Sequence, residues 1–229
     1  MGDVQWIKGD ISNGFGPLCS SDLLSNQRYE TLREEFLRGA SETKAERRLR
    51  LDEHVSILFE NRFMVWLQIQ EEKRWISNPD PEAISAILER NNVLVARPGE
   101  LRASLFLDSR DPKTIEHYAT TLTIDEIQLK LRLGGWVMHA HSLESENLFI
   151  EAVNYIVFVQ RERCSAEAEF IEWDPGAVQE RRLPTAMSET LGAEMSGATA
   201  GLTLSALKGW TSEELPTPNL VVSSRVRTS

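Results

Sequence analysis

The sequence lacks the features that mark several large classes of protein. None of its apolar runs reaches the roughly 18 residues that a membrane-spanning helix needs. Its first residues have neither the basic start nor the apolar stretch of a secretory signal. Two cysteines in 229 residues, Cys19 and Cys164, are too few for a disulfide framework and lack the close spacing of a metal site. We therefore expect a cytoplasmic protein without a membrane segment.

Positive charge is also scarce in this chain. It has 25 Lys and Arg residues against 35 Asp and Glu residues, which gives a formal net charge of −10. General nucleic-acid binding needs a positive surface that displaces counterions from phosphates, so this balance argues against it. The positive residues nevertheless cluster at Lys44, Arg47, Arg48 and Arg50. This cluster favours a small acidic molecule or an acidic patch on a partner protein as the binding partner.

The common catalytic and nucleotide-binding signatures are absent from the sequence. It contains no Gly-x-x-x-x-Gly-Lys phosphate loop, no Gly-x-Gly-x-x-Gly motif, no His-Glu-x-x-His motif and no Gly-x-Ser-x-Gly motif. The sequence therefore favours a binding or accessory protein over an enzyme, and it leaves the question of catalysis open. It also leaves open whether the chain forms a homo-oligomer.

Hydrophobic periodicity predicts an α+β fold. Residues 54–59 and 63–70 are apolar runs separated by a short polar turn, which predicts a β-hairpin. Alternating apolar and polar residues predict further strands at 101–107, 124–133, 136–141, 153–159 and 170–173. Helical spacing predicts amphipathic helices that begin near Ser20, Pro81 and Pro112. The whole pattern indicates a mainly antiparallel sheet of hairpins with helices packed on one face and flexible ends.

Composition divides the chain into three segments. Residues 1–20 mix Gly, Ser, Asn and Pro with isolated apolar residues, which predicts an irregular N-terminal arm. Residues 21–184 hold the periodic segments and predict a single α+β domain. Residues 185–229 are mostly small or polar and cannot bury enough apolar surface to offset the entropy of ordering. We therefore predict a low-complexity C-terminal tail, with a short docking helix near 202–210.

One segment resembles a known family signature. Residues 59–71 read Phe-Glu-Asn-Arg-Phe-Met-Val-Trp-Leu-Gln-Ile-Gln-Glu. This resembles the signature Phe-Glu-Asn-Arg-x-x-Val-x-x-Gln-Ile-Gln-Glu of the bacterial family catalogued as domain of unknown function 3501. Weaker similar segments flank it at Tyr29 to Arg33 with Glu35 and Phe36, at Arg47 and Arg48, at Pro98 to Leu105, and at Ala152 to Phe158. The resemblance extends over about residues 22–174.

The chain also departs from the family pattern. It has Asp52 where the family usually has Gly, Glu72-Lys73-Arg74 where Met-x-Arg is expected, and Asp174-Pro175 where Asp-His-Pro is frequent. Members of the family are said to occur beside rubrerythrin-like and iron–sulfur redox proteins. The resemblance therefore implies an accessory redox or stress role. Another interpretation is a subunit of a biosynthetic enzyme complex.

The signature segment supplies the first candidate site. In the predicted hairpin, Gln68 and Gln70 lie on one face of the returning strand because they are two residues apart. The predicted ligand-binding residues are Arg47, Arg48, Glu60, Arg62, Gln68, Gln70 and Glu71. Guanidinium groups match carboxylates and phosphates, so we expect a polar cleft for a small acidic ligand. The alternative is a purely structural network in which Asn61 makes the turn.

A pair of histidines supplies the second candidate site. His139 and His141 are two residues apart in a predicted strand, so both lie on one face of it, and Glu144 follows. Two imidazoles and a carboxylate are a ligand set for a transition metal. The alternative function is therefore a metal-dependent enzyme or a metal-binding redox accessory. The structural alternative is an exposed strand end.

Cysteine and tryptophan supply weaker candidates. Cys164 follows two arginines whose positive charge favours a thiolate, so it is a candidate redox thiol. Cys19 lies in the predicted arm and is expected to be an ordinary free cysteine. Trp6, Trp173 and Trp210 lie outside the clear core and are predicted to contact a partner or a second copy of the chain.

Overall fold

The computed structural model of the protein describes residues 2–13, 16–121, 129–143, 153–165, 169–173 and 179–195. Its helices there are α1 (Gly2–Asn13), α2 (Asn26–Arg47), α3 (Arg62–Arg74), α4 (Pro81–Asn92), α5 (Pro112–Thr121) and α6 (Thr185–Met195). Its strands there are β1 (Arg48–Arg50), β2 (Val55–Phe59), β3 (Glu100–Leu107), β4 (Lys130–Leu133), β5 (Trp136–Ser142), β6 (Val153–Arg163), β7 (Phe170–Trp173) and β8 (Gln179–Arg182). No helix within these ranges is long and apolar enough to cross a membrane.

The strands form one curled antiparallel sheet with the order β1-β2-β3-β6-β5-β4-β7-β8. Side chains near its two edges meet. Trp173 Nε1 of β7 donates to Asp52 Oδ2 at 2.8 Å, and Arg181 Nε of β8 donates to Leu51 O at 2.8 Å. These contacts draw the first and last strands towards each other, so the sheet has an inner and an outer face. The predicted α+β class with an antiparallel sheet is confirmed.

The inner face holds one of two apolar cores. Alternating strand residues such as Leu105, Leu131 and Phe158 meet inside the curl. Helix α6, which is the last described element, packs into this core. Its Leu191 is fully buried and its Met187 nearly so. Burying this apolar surface supplies the main driving force that holds the curled sheet together.

The outer face holds the second core, beneath helices α1 to α4. Leu58 of β2 belongs to this core, together with an aromatic cluster from α2 and α3. The rings of Phe36 and Trp66 lie 4.9 Å apart edge to face, and those of Phe63 and Trp66 lie 6.0 Å apart and stacked. The helices predicted for one face of the sheet therefore pack there, and α6 lies on the other face.

The predicted hairpin is wrong in its second half. Residues 63–70 belong to α3, and the Asn61 side chain accepts a hydrogen bond from Met64 N at 2.9 Å as the helix N-cap. Helix α3 lies between the sheet and the neighbouring helices, so seven of the residues at 63–70 are buried. A helix buried on most sides loses its polar face, and a short apolar run of this kind cannot be told from a strand by periodicity.

Helices also occupy the two segments predicted to be irregular. Helix α1 lies within the predicted N-terminal arm, where Val4, Ile7 and Ile11 are buried at helical spacing. Helix α6 lies within the predicted C-terminal tail. Few apolar residues suffice in each case because the larger domain already supplies the surface on which they pack. The docking helix predicted at 202–210 lies outside the described residues, and the domain boundaries stay a prediction.

Candidate functional site

The outer face of the sheet bears a cleft of about 360 Å³. Strand register builds its floor. Leu58, Ser104 and Tyr155 lie side by side across β2, β3 and β6, and Phe106 and Val153 form the next row across β3 and β6. All five residues line the cleft, because positions two apart on a strand share a face. The site therefore draws on strands that are up to about a hundred residues apart in sequence.

Two helices form the walls of the cleft. The wall residues are Leu37 and Lys44 of α2, and Met64, Leu67, Gln68 and Glu71 of α3. On α3, Met64 and Gln68 are one turn apart, as are Leu67 and Glu71, so the two pairs share a face of the helix. Apolar surface combined with a small number of polar groups is typical of a site for a small organic molecule.

Glu60 lies where β2 ends and α3 is about to begin. Its N–H donates to Arg102 O at 2.8 Å, and its carbonyl accepts from Arg47 Nη2 at 2.9 Å. Its carboxyl oxygen Oε1 accepts from Ser104 Oγ at 2.5 Å. Burial raises the pKa of the Glu60 carboxyl, while the Ser104 hydrogen bond and the charges of Lys44 and Arg47 oppose that rise. The carboxyl is thus held in a fixed position in the cleft.

Glu71 has its charge balanced within the protein. Arg33 donates to both carboxylate oxygens, at 2.7 and 2.8 Å, and the Tyr29 hydroxyl donates to Oε1 at 2.6 Å. The Arg33 hydrogen bond is the main reason that the pKa of Glu71 is lowered. Burial, helped by the Glu71 carboxylate, raises the pKa of Tyr29. Glu71 therefore stays ionised and paired, and leaves little net charge at this end of the cleft.

Lys44 carries the positive charge of the cleft. It is exposed, and no carboxylate in the described part of the chain forms an ion pair with it. Gln68, across the cleft on α3, is also exposed. A lysine stem can lie along apolar surface while its ammonium group stays at the rim. The cleft therefore offers an apolar interior with an ammonium group at its edge.

The structure places four of the predicted ligand-binding residues at or beside this cleft. Glu60, Gln68 and Glu71 line it. The guanidinium group of Arg48 lies 4.6 Å from the centre of the Phe106 ring, which is part of the floor. Arg48 also pairs with Asp108, which directly follows β3, so its charge is already balanced.

Two predicted arginines lie outside the cleft lining and make contacts within the protein. Arg47 donates to Phe59 O at 2.7 Å and pairs with Glu194 of α6 at 2.7 and 2.8 Å. Arg62 donates to Ile11 O at 2.9 Å and pairs with Asp22 at 3.1 Å, which ties the N-terminal segment to α3. These contacts favour a structural role for both guanidinium groups.

Gln70 does not share a face with Gln68. The two residues are two positions apart in a helix, so their side chains diverge by about 200°. Gln68 is exposed, whereas Gln70 is 1% exposed and neither its Nε2 nor its Oε1 has a hydrogen-bond partner in the described structure. The prediction that both amides line one surface is wrong because it depended on the hairpin.

The predicted histidine pair lies on β5. His139 and His141 alternate with Met138, which is buried in the inner core, so both histidines belong to the outer face. Glu144 lies outside the described residues. Among the residues that are described, no three His, Cys, Asp or Glu side chains form a group that could hold a metal ion. Metal binding stays a prediction.

One of the predicted tryptophan contacts is wrong. Trp173 is fully buried, and its indole N–H is bonded to Asp52, so it is part of the core. Strand β7 is short but is paired with β4 and β8, and Trp173 belongs to the same inner core as the buried residues of α6. The side chains of Trp6 and Trp210 lie outside the described part of the chain. Trp75, at the end of α3, is 78% exposed.

Both cysteines are free thiols. Cys164 is partly exposed, and its N–H donates to Gly135 O at 2.9 Å. The neighbouring Arg163 stacks on the Trp136 ring, with 4.4 Å between the guanidinium carbon and the ring centre. The redox role of Cys164 stays a prediction.

Sequence reasoning missed several residues of the cleft. Lys44 was visible as part of the basic cluster, but nothing in the sequence singled it out from its arginine neighbours. Ser104 and Tyr155 carry no local signal, because only strand register brings them beside Leu58. The four-residue spacing of Tyr29 and Arg33, in a segment that resembles the family, was a usable signal for the partners of Glu71.

Comparison with known proteins identifies a matching family and a solved structure with a similar fold. A family model described as "Protein of unknown function (DUF3501)" matches residues 17–171. Among solved structures, the chain is similar to a novel protein of unknown function from Burkholderia pseudomallei K96243, with a TM-score of 0.65 and 18% identity. The similarity covers 78% of this chain and 99% of that one, and at this identity it concerns the fold alone. No curated protein matches the chain.

Proposed function

Because this chain belongs to the DUF3501 family, whose function is unknown, we propose its function from the cleft: it is a binding protein for a small organic acid. The acid group pairs with the ammonium group of Lys44. The apolar part of the ligand lies against α3 and the floor of the sheet. A binding role of this kind agrees with the absence of catalytic signatures in the sequence.

The charge distribution of the cleft is the observation that carries this proposal. Glu71 is neutralised by Arg33, and Glu60 Oε1 already accepts the hydrogen bond of Ser104. Lys44 has no carboxylate bonded to it within the described residues. An anionic group at the rim therefore gains an ion pair without displacing an existing one. A carboxylate is favoured over a larger anion since a single ammonium group faces it.

The size and lining of the cleft support a small ligand with an apolar body. Its volume of about 360 Å³ lies at the lower end of the range for small-molecule pockets. Met64 and Leu67 are each less than 10% exposed, and with Phe106 they offer apolar surface to a ring or a branched chain. Removing that surface from water supplies binding free energy in proportion to its area.

A pair of matched probes tests the proposal. We expect 3-phenylpropanoate to bind the full chain and its neutral amide, 3-phenylpropanamide, to bind about fivefold more weakly, because an exposed ion pair contributes up to about 1 kcal/mol. Lys44→Met should remove this difference. Titration calorimetry measures all four dissociation constants.

The matched control for that experiment is Lys113→Met. Lys113 is an exposed lysine on α5 that does not line the cleft, so its replacement should leave the acid's affinity unchanged. Equal affinity of the acid and the amide for the unmodified chain would contradict the proposal. So would an acid preference that survives Lys44→Met, or the absence of any binding by 3-phenylpropanoate.

A further inference from the structure

We infer that the organic acid bound in the cleft is an α-amino acid with an apolar side chain, and that Glu60 receives its ammonium group. The inference rests on the proposed function, since it assumes that Lys44 pairs with the ligand carboxylate. It adds the second polar contact and so names the chemical class of the ligand.

The Glu60 carboxyl has an oxygen left for a ligand. Ser104 Oγ donates to Oε1 at 2.5 Å, and this is the hydrogen bond that the Glu60 side chain makes within the described structure. Glu60 lines the cleft. Its Oε2 has no hydrogen-bond partner within the described residues and is not fully buried. A cleft-lining carboxylate with one oxygen bonded by the protein and the other not fully buried is a natural acceptor for an ammonium group.

Glu60 is also held rigidly enough to select a ligand. Arg47 donates to the carbonyl oxygens of Phe59 and Glu60 at 2.7 and 2.9 Å, and is itself fixed by both oxygens of Glu194. The N–H of Glu60 donates to Arg102 O at 2.8 Å. The backbone on both sides of the carboxyl is therefore fixed before a ligand arrives, so little entropy is lost when one binds.

The neighbouring charges favour a zwitterion over a simple acid. Lys44 and Glu60 both line the cleft, one with an ammonium group and the other with a carboxyl group. A ligand that carries only a carboxylate leaves Glu60 without an ion pair and brings a second negative charge into the cleft that Glu60 lines. A ligand that carries an ammonium group beside its carboxylate satisfies both residues at once.

Other polar groups of the cleft do not compete for the ammonium group. Glu71 is already bonded by Arg33 and Tyr29, and Gln68 is neutral. Met64 and Leu67 of α3 leave an apolar surface for the ligand side chain, which excludes a charged one. The cleft therefore favours amino acids such as phenylalanine over glutamate.

Three phenyl ligands separate the two polar contacts. We expect L-phenylalanine to bind the full chain at least about fivefold more tightly than 3-phenylpropanoate, because only L-phenylalanine has an ammonium group that can pair with Glu60. A factor of five in affinity corresponds to about 1 kcal/mol. 2-Phenylethylamine, which lacks the carboxylate, should bind more weakly than L-phenylalanine. L-Glutamate should not compete with L-phenylalanine. Titration calorimetry measures each dissociation constant.

A variant of Glu60 provides a second, independent readout. Glu60→Gln should abolish the preference for L-phenylalanine over 3-phenylpropanoate without weakening 3-phenylpropanoate, whereas Glu82→Gln, at an exposed position of α4, should leave the preference intact. The ligand comparison on the unmodified chain needs no variant and so does not depend on the folding of Glu60→Gln.

The outcomes distinguish this inference from the proposal beneath it. If 3-phenylpropanoate binds in a Lys44-dependent manner and L-phenylalanine binds no better, the amino-acid inference is overturned and the proposed function stands. If neither 3-phenylpropanoate nor L-phenylalanine binds, both are overturned. A preference for L-phenylalanine that persists in Glu60→Gln also overturns the assignment of its ammonium group to Glu60.

Discussion

Most polar side chains of the signature segment have partners, and Gln70 stands apart from them. Asn61 caps α3, Arg62 donates to the carbonyl of Ile11, and Glu71 is bonded twice over by Arg33. Gln70 is buried with both polar atoms unpaired in the described structure. A buried polar group without a partner costs about 1–3 kcal/mol, so this amide weakens the fold at its position.

Gln70→Leu should therefore increase the free energy of unfolding by about 1 kcal/mol, because leucine removes two unpaired polar groups at similar volume. Urea unfolding followed by circular dichroism measures the change. The control is Gln68→Leu, at an exposed position of the same helix, which should change stability by less than about 0.5 kcal/mol. A clear loss of stability in Gln70→Leu would mean that the amide has a partner and would contradict the prediction.

Among the secondary-structure elements, α3 is the helix whose sequence predicts a strand. Its residues are β-prone in part and apolar on nearly every side, since the helix packs between the sheet and α1, α2 and α4. Local pattern cannot reveal that a segment is covered on several sides. Asn61 was a local signal for the start of a helix, because asparagine is favoured at helix N-caps as well as in turns.

Asn61→Ala should lower the free energy of unfolding by about 1 kcal/mol, because the first turn of α3 loses the acceptor for Met64 N. Asn61→Asp is the matched control: its carboxylate oxygen also accepts that hydrogen bond, and its charge suits a helix N-terminus. Thermal or urea unfolding measures both. Equal losses in the two variants would count against a capping role for Asn61.

The short helices at the ends of the described chain follow the same rule as α3. Val4, Ile7 and Ile11 are few, yet their helical spacing lets all three pack on α2 and α3. In α6, Leu191 packs into the inner core. An argument from composition considers only the apolar residues within one segment. It fails when a helix is stabilised by packing on apolar surface that another part of the chain provides.

At the scale of the whole molecule, the curl of the sheet depends on contacts between its two edges. Asp52 Oδ2 accepts the indole N–H of Trp173 at 2.8 Å. Its other oxygen accepts the N–H groups of His54 and Val55 at 2.7 Å each. One carboxylate thus shapes the turn before β2 and joins it to β7. A strand-by-strand analysis of the sequence has no means of finding such a contact.

Asp52→Asn tests this closure. The amide keeps an oxygen for the turn but presents an NH2 group to the buried indole N–H, so we expect the free energy of unfolding to fall by about 1–2 kcal/mol. Glu53→Gln, whose carboxylate is 83% exposed, is the matched control and should have little effect. Urea unfolding measures both variants. Equal effects would show that the Asp52–Trp173 bond contributes nothing to stability.

The α+β class and several of its elements follow from local sequence patterns alone. Alternation predicted the strands now seen as β3, β5 and β6, and Asp80 with Pro81 predicted the start of α4, whose cap is confirmed at 2.7 Å. These features are local, because side-chain alternation and capping involve residues a few positions apart. The family signature was equally readable, since it lies in one continuous segment.

The use of the polar residues, in contrast, depends on how the chain folds in three dimensions. Glu60 and Lys44 belong to the cleft, whereas Arg47 is bonded to Glu194, which is 147 residues further along the chain. The partner of each charge depends on strand register and on which helix covers which face. Those are properties of segments far apart in sequence, and burial rather than residue type determines whether a charge is available to a ligand or is used to hold the fold together.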